Sequence, residues 1–460
     1  MKASEFAVDS GLGAPGSSEE RTVAVYGMGF VGLTLAATLA SVGIPVVGVD
    51  SNPDVIAKLR KNEATFYEKG LDELLRSLEA SNPMRLAAAA GEHASDIHIV
   101  SVGTPVGEDN RPGMAQLNAI ARALAKHLKR GDLVVLRSTV PVGTTRRHVI
   151  PLLESNGLVA GSDFHVAFAP ERTAEGNALH ELRKLPQIVG GLDAKSVAMA
   201  RRLFARIAGS IVEVPSLEAA ELVKLLNNTF RDLVFSFANE AAQICDALNL
   251  DAFELIAAAN KDYPRNPIPS PSPGVAGTCL SKDPYLYSHP TIDMTVKPAL
   301  GLASRKINSM GADYVLAMLE RFCRLTNRNL GDLKILLVGL AFKGKPETSD
   351  HRGSVALDLL QRLPSPANVT VKDFVIANPE ILALGFEPVI DLFDAASKAD
   401  AVIVMNNHVK NNGFDVAAAF AGKRPRLLFD GWHMFKKDDI ERIDGAYYAT
   451  MGYMTPGARS

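Results

Sequence analysis

The chain has 460 residues, 47% hydrophobic and 22% charged, with a formal net charge of −2. At ~150 residues per domain this length fits two or three globular domains, and the near-neutral balance offers no basic surface to nucleic acid or a membrane. Three cysteines (Cys245, Cys279, Cys323) are too few and too scattered for a disulfide framework or a zinc site, and they suit a reducing, cytoplasmic setting.

Residues 1–20 are small, polar and acidic. They lack the basic start and apolar run of a signal peptide and read as a disordered tail. No apolar run approaches the ~20 residues needed to span a bilayer. From Arg21 the pattern alternates. RTVAVY is a β-branched apolar run, the mark of a buried parallel strand. It enters GMGFVG and then the helical run LTLAATLASVG, which stops at Gly43. PVVGVD is a second strand, ending at Asp50. IHIVSVGTP, a helix from about Gln116, DLVVLRSTVP, another helix and HVAFAPE continue the series. Strands alternating with helices predict an α/β fold with a doubly wound parallel sheet.

From Glu218 to Asn260 the periodicity is helical throughout, too long for one crossover. It predicts a central helical segment that joins two domains and offers a dimer interface. The proline-rich loop YPRNPIPSPSPG (263–274) follows, and loops this long in a compact protein are usually functional or disordered. A second α/β domain begins near Leu333, with strands in KILLVGLAF, NVTVKDF, ADAVIVMNN and RPRLLFDGW and a helix in SVALDLLQRL. The expected architecture is two Rossmann-like doubly wound domains, 21–214 and 329–460, joined by a central helical segment, 215–328, that also carries Cys279.

Gly27, Gly29 and Gly32 form G-x-G-x-x-G between a strand and a helix, with Asp50 closing the next strand. Gly27 allows the tight turn, Gly29 lets a pyrophosphate approach the backbone, and Gly32 lets helix and strand pack closely. Asp50 is placed to accept hydrogen bonds from ribose hydroxyls and to repel a 2′-phosphate, which favours NAD over NADP. The plainer alternative is a glycine turn without a ligand.

Cys279 stands in GVAGTCLSKDP. It is either a nucleophile, activated by Lys282 or a helix N-terminus, or a small buried hydrophobe. Cys245 and Cys323 sit in apolar helical patterns and read as core residues. Lys224 and Asn228 are four apart and share a helix face. Beside a reacting alcohol they suit proton transfer and oxyanion stabilisation; otherwise they mark a solvated face. Glu171 and Glu175, also four apart, follow a strand end where α/β active sites cluster. Each is a candidate base or an exposed turn residue.

Taken together, GMGFVG, SVGTP, RSTVPVGTT, APERTAEG, ELVKLLNNTF, GTCLSKDP and GLAFKGKPETSDHRGS resemble the UDP-glucose/GDP-mannose dehydrogenase family, from about Arg21 to Tyr453. The resemblance implies oxidation of a sugar C6 alcohol to a carboxylate with two NAD molecules and one water. It runs through an aldehyde, a thiohemiacetal and a thioester on Cys279. It makes Lys224 the oxyanion-stabilising lysine with Asn228 its partner, Asp283 the acid that assists a water, and Thr139 the threonine that holds it. Glu171 is tied to thioester hydrolysis. The NAD site would comprise Gly27, Gly29, Phe30, Val31, Gly32 and Asp50, with Thr104, Thr139, Glu175 and Arg352. The UDP-sugar would meet Glu171, Lys224, Asn228, Gly277, Lys343 of the C-terminal domain, and Arg265 from a neighbouring subunit, so the implied assembly is at least a homodimer. No metal is implied.

The chain departs from the family in places. Ala276, Gly277 and Thr278 stand where most members have two glycines and then serine or histidine. The glutamate motif reads ERTAE, and Lys343 and Arg352 are about two residues further apart than usual. PRNPIPSPSPGVAG and ERT lean toward members acting on UDP-N-acetylglucosamine or UDP-N-acetylmannosamine, whereas CLSKD lies closer to UDP-glucose and GDP-mannose enzymes. Two rivals remain at this level: a single-hydride dehydrogenase of 3-hydroxyacids or 6-phosphogluconate, and a non-enzymatic NAD sensor or scaffold.

Overall fold

The computed structural model describes residues 21–107, 109–265, 267–290, 295–296, 298–422 and 424–455, so the tail expected over residues 1–20 lies outside it. The first sheet contains β1 (Val23–Tyr26), β2 (Val46–Val49), β3 (Arg85–Ala87), β4 (Ile97–Val100), β5 (Leu133–Leu136), β6 (His165–Phe168), β7 (Gln187–Gly191) and β8 (Ile211–Glu213), in the order β3-β2-β1-β4-β5-β6-β7-β8. Strands β1 to β6 are parallel, with Val23 opposite both Val46 and Ile97. β7 turns antiparallel to β6, and β8 follows β7. β1, β2, β4, β5 and β6 are buried along their whole length. Helices cover both faces of a parallel sheet, so both faces must be apolar. Val23 and Val25 pack with Leu33 and Leu39 on one side, and Ala24 and Tyr26 with Leu117 and Leu124 on the other.

The second sheet repeats the plan. β9 (Ile335–Val338), β10 (Val369–Lys372), β11 (Glu387–Pro388), β12 (Ala401–Val404), β13 (Arg426–Asp430), β14 (Ala446–Thr450) and β15 (Tyr453–Met454) lie in the order β11-β10-β9-β12-β13-β14-β15. All are parallel except β15. In both sheets the order reverses beside the first strand, between β1 and β4 and between β9 and β12. Ligands of open α/β sheets bind at such a crevice. The expected α/β architecture of two Rossmann-like domains is present.

The central helical segment is broken where the sequence pattern reads as continuous. One 31-residue helix spans Leu217–Ala247, capped by Ser216 through Ala219 N, and a second spans Ala252–Asn260, capped by Asp251. Between them Asn249 has φ +55°, and the Asp251 carboxylate takes the first free N–H groups of the new helix. The long helix packs on Leu300–Asn308 through buried polar contacts. Arg305 Nη1 donates to Asp232 at 2.7 Å and to the Val275 carbonyl at 3.3 Å. Asn308 bridges Asp232 to Asn239, and Asn239 accepts from Ser272 N at 2.9 Å. Ser272 and Val275 begin the loop that carries Cys279, so this network anchors that loop to the central helix.

Candidate active site

The glycine turn has the geometry of a pyrophosphate cradle. Gly27 has φ +89°. A Cβ on Gly32 would lie 1.8 Å from the Gly27 carbonyl oxygen, so any side chain there would push helix from strand, whereas a Cβ on Gly29 would meet nothing within 4 Å. That open space faces a helix, Phe30–Ala40, whose N-terminus has no side-chain cap, leaving N–H groups for an anion. Phe30 and Val31 open this helix. Asp50 accepts from Met28 N at 2.8 Å and from Asn52 N at 2.9 Å. The carboxylate is thereby held at the end of β2 and against the glycine turn, where a ribose would lie. These groups fit NAD.

Cys279 lies between the two domains. Its loop touches the second through Gly277, where φ is +88° and a Cβ would come within 2.7 Å of the Phe342 ring. It touches the first through Lys282, whose Nζ is 3.4 Å from Thr104 Oγ1; Thr104 in turn donates to the Thr139 carbonyl at 2.5 Å. Cys279 is exposed, so it is not a core hydrophobe. Burial pushes its pKa up; the Lys224 ammonium opposes this most, Asp283 reinforces it, and Lys282 opposes it less than Lys224 does. Of the two nearby cations, Lys224 thus acts on the thiol more strongly than the sequence neighbour Lys282. Cys245 and Cys323 are buried, as their patterns suggest.

Lys224 and Asn228 are buried, which rules out a solvated face. Asn228 Nδ2 donates to Asp283 Oδ2 at 2.6 Å, and Lys282 Nζ lies 3.3 Å from Asp283 Oδ1. Asp283 is 1% exposed. The structure thus brings Cys279, Lys224, Asn228, Asp283, Thr104 and Thr139 to one cleft.

Glu171 is not an exposed turn residue. It is buried and ion-paired with Arg137, and its Oε1 accepts from the N–H groups of Arg172 and Thr173, both at 2.7 Å. Burial works to raise its pKa, but Arg137, the Thr173 N–H and Lys224 hold it below the usual carboxylate range. A carboxylate so committed is a poor proton acceptor near neutrality; it presents fixed negative charge toward Lys224. Arg137, 1% exposed, also donates to the Ala169 carbonyl and to Gln187. Sequence reasoning missed it, although it opens RSTVPVGTT: an arginine ending an apolar strand must find a buried acid.

Glu175 joins the two domains. Its carbonyl accepts from Lys343 Nζ at 2.8 Å, and its carboxylate accepts from Thr348 at 3.3 Å. Burial and Asp350 push its pKa up to about 6, against Lys343 and Arg352. Burial lowers that of Lys343. Arg352 is exposed and held by a two-pronged contact to Asp350, at 2.9 and 2.8 Å. Its charge acts on Glu175. Arg265 is exposed on the proline-rich loop, its guanidinium 5.7 Å from the Tyr263 ring centre.

The sequence matches three consecutive profiles of the UDP-glucose/GDP-mannose dehydrogenase family: the NAD binding domain over residues 21–208, the central domain over 218–310 and the UDP binding domain over 336–437. It is 33% identical over 408 residues to NDP-N-acetyl-D-galactosaminuronic acid dehydrogenase of Ralstonia solanacearum, covering 86% of this chain and 92% of that protein. It is 32% identical to UDP-N-acetyl-D-mannosamine dehydrogenase of Campylobacter jejuni, covering 84% and 95%. The structure of UDP-D-ManNAc dehydrogenase from Pyrococcus horikoshii superposes with a TM-score of 0.82 at 29% identity, over 94% of this chain and 99% of that one. A dinucleotide cradle facing a second α/β domain across an exposed cysteine defines a pyridine-nucleotide oxidoreductase. The chain belongs to the UDP-glucose/GDP-mannose dehydrogenase family, whose members are NAD-dependent nucleotide-sugar dehydrogenases. Among the described residues no helix is long and apolar enough to cross a membrane.

Proposed function

We propose that this enzyme oxidises the C6 hydroxymethyl of a UDP-N-acetylhexosamine, UDP-N-acetylglucosamine or UDP-N-acetylmannosamine, to the carboxylate through a thioester on Cys279. The observation that carries the reading is an accessible thiol whose strongest cationic neighbour is a buried lysine, in a loop touching both domains. NAD, when bound at the glycine turn, accepts the hydride in each oxidation. The Lys224 ammonium steadies the C6 oxygen while its proton passes to the water beside Asp283, and then steadies the oxygen of the aldehyde. The Cys279 sulfur adds to the aldehyde carbon, forming a C–S bond, and Lys224 with Asn228 stabilises the resulting oxyanion. Loss of the second hydride leaves a thioester. A water oriented by Asp283 and Thr139 adds to it, and the thiolate leaves as the carboxylate forms. Glu171 orients Lys224 and sustains hydrolysis electrostatically. Lys343 and Gly277 line the sugar nucleotide's path, with Glu175 and Arg352 beside the cofactor.

The N-acetylhexosamine choice is supported by the relatives from Ralstonia solanacearum, Campylobacter jejuni and Pyrococcus horikoshii, each a dehydrogenase of an N-acetylated sugar nucleotide. The functional division follows residues 21–214 for NAD, 215–328 for the thiol and 329–460 for the UDP-sugar. Free cysteines suit a cytoplasmic enzyme.

The assembly proposed is a homodimer on the central helix. Leu226, Phe230, Phe237 and Ile244 are exposed, with Leu248 continuing the row at the cap. At 3.6 residues per turn these positions fall within about 40° of one another. Glu221, Lys224, Asn228 and Asp232 occupy the opposite, buried face. An apolar stripe outward and polar residues inward invert the usual surface helix, which suits a partner copy covering the stripe. Arg265 would then enter the partner's site.

The test is the NADH yield from limiting UDP-N-acetylglucosamine, UDP-N-acetylmannosamine, UDP-glucose and GDP-mannose, each run to completion. About two NADH per sugar from one of the N-acetylhexosamines is expected, with Cys279→Ser abolishing full turnover. A yield near one would remove the thioester, and two NADH from UDP-glucose or GDP-mannose alone would replace the substrate.

A further inference from the structure

The buried face of the central helix that carries Lys224 also carries Glu221, 1% exposed. It lies three residues earlier and therefore on the same side, about one turn away. Its carboxylate collects three hydrogen bonds from the segment that follows Thr139. Gly143 N donates to Oε2 at 2.5 Å, and Thr145 donates to Oε1 from its N at 2.8 Å and its hydroxyl at 2.6 Å. The helical turn Thr145–Val149 has no side-chain cap from its own N-cap residue; Glu221 supplies one from another element. The segment running from Thr139 to Thr145 is thus hung on the same helix that holds Lys224.

We propose that Glu221 is a positioning residue for the oxidation, its carboxylate fixing the Thr139 loop in register with Lys224. The inference rests on the reading above, in which Lys224 and Thr139 serve the reacting carbon. Three donors converge on two oxygens, and an ionised carboxylate accepts from all of them without presenting a donor of its own. A glutamine would turn an NH₂ group, and a protonated acid a hydroxyl, onto an N–H that needs an acceptor. The charged groups around Glu221 are Glu218 and Lys224 on its own helix and Arg146 on the facing segment, with Arg146 Nε committed to Glu218 at 2.6 Å. Burial pushes the Glu221 pKa up to about 7, with Glu218 adding to the rise against the bonds from Thr145 and Gly143. The sign follows: as pH falls through about 7 the protonated fraction grows, a bond to the loop is lost, and turnover drops.

The test compares wild type, Glu221→Gln, Thr145→Ala and the double variant, by kcat and KM across the pH range. Expected are a fall in kcat of about tenfold to a hundredfold for Glu221→Gln, the scale of an ~1 Å misplacement, and KM for NAD within about twofold. The acid limb of the kcat profile near neutrality should flatten. Thr145→Ala should lose less, and the double variant should be no worse than Glu221→Gln, since both act through the same attachment of the loop to Glu221. Wild-type kcat in Glu221→Gln, an unchanged acid limb, or losses that multiply would overturn the proposal. If Glu221→Gln does not fold, Thr145→Ala decides: a several-fold kcat loss supports the proposal and wild-type kcat overturns it. Absence of sugar-nucleotide oxidation by the wild type would instead sink the reading on which it rests.

Discussion

Arg137 is an arginine almost fully removed from solvent, and its charge is matched by Glu171, itself 6% exposed. Such a pair adds little to stability when intact, but removing one member strands the other charge in low dielectric. Arg137→Met is expected to cost about 3–5 kcal/mol, read from denaturant unfolding. The pH dependence separates two acids of the same site. Glu171 is held below its ordinary value, so the stability it contributes is present above the usual carboxylate range and lost as pH falls through its folded value. Arg137→Met should lose that acid-side dependence. Glu175 runs the other way: raised to about 6, it contributes most at low pH, and its share declines as pH rises from the ordinary carboxylate range to about 6.

Among the elements, the Cys279 loop is the most tightly specified. Gly277 combines a left-handed backbone with a Phe342 ring carbon 2.7 Å from where a Cβ would sit. Gly277→Ala must either displace the ring or move the loop, and about 1–3 kcal/mol of overpacking is expected. A fall in melting temperature together with a fall in kcat would bear this out; an unchanged kcat would show that the loop's position does not matter to the thiol. Elements with long apolar runs were legible in the sequence: β1, β2, β4, β5, β6, β9, β10, β12 and β13. Those missed were β3, β7, β8, β11, β14 and β15. β3, β8 and β11 are edge strands with exposed positions, so no apolar run betrays them. β7 ends in two glycines, which read as a turn, and Gly190 is demanded by the Ser216 carbonyl 2.3 Å from a would-be Cβ. The break at Asn249 was likewise hidden, because helical periodicity continues on both sides of it.

For the whole molecule the exposed stripe of the central helix sets the expected assembly. Phe237 is 57% exposed at its middle, and Phe237→Asp would place a charge in the centre of a two-fold interface. Light scattering should show monomer, with activity lost if Arg265 completes the partner's site. A stable, fully active wild-type monomer would remove the dimer from the account. What the sequence determined by itself is local. Runs of β-branched residues, the G-x-G-x-x-G turn with Asp50 after it, and the repeat of this plan beyond Leu333 each lie within a few tens of residues, so periodicity and spacing reveal them. The tertiary structure alone decided which charges meet. Lys224 acts on Cys279 from 55 residues away in sequence, more strongly than Lys282 three residues along. Arg137 claims Glu171, and Glu221 holds the loop of Gly143 and Thr145. Electrostatic partnership depends on distance and burial in three dimensions, and a buried carboxylate carries no mark in the chain that distinguishes it from a solvated one until the fold closes around it.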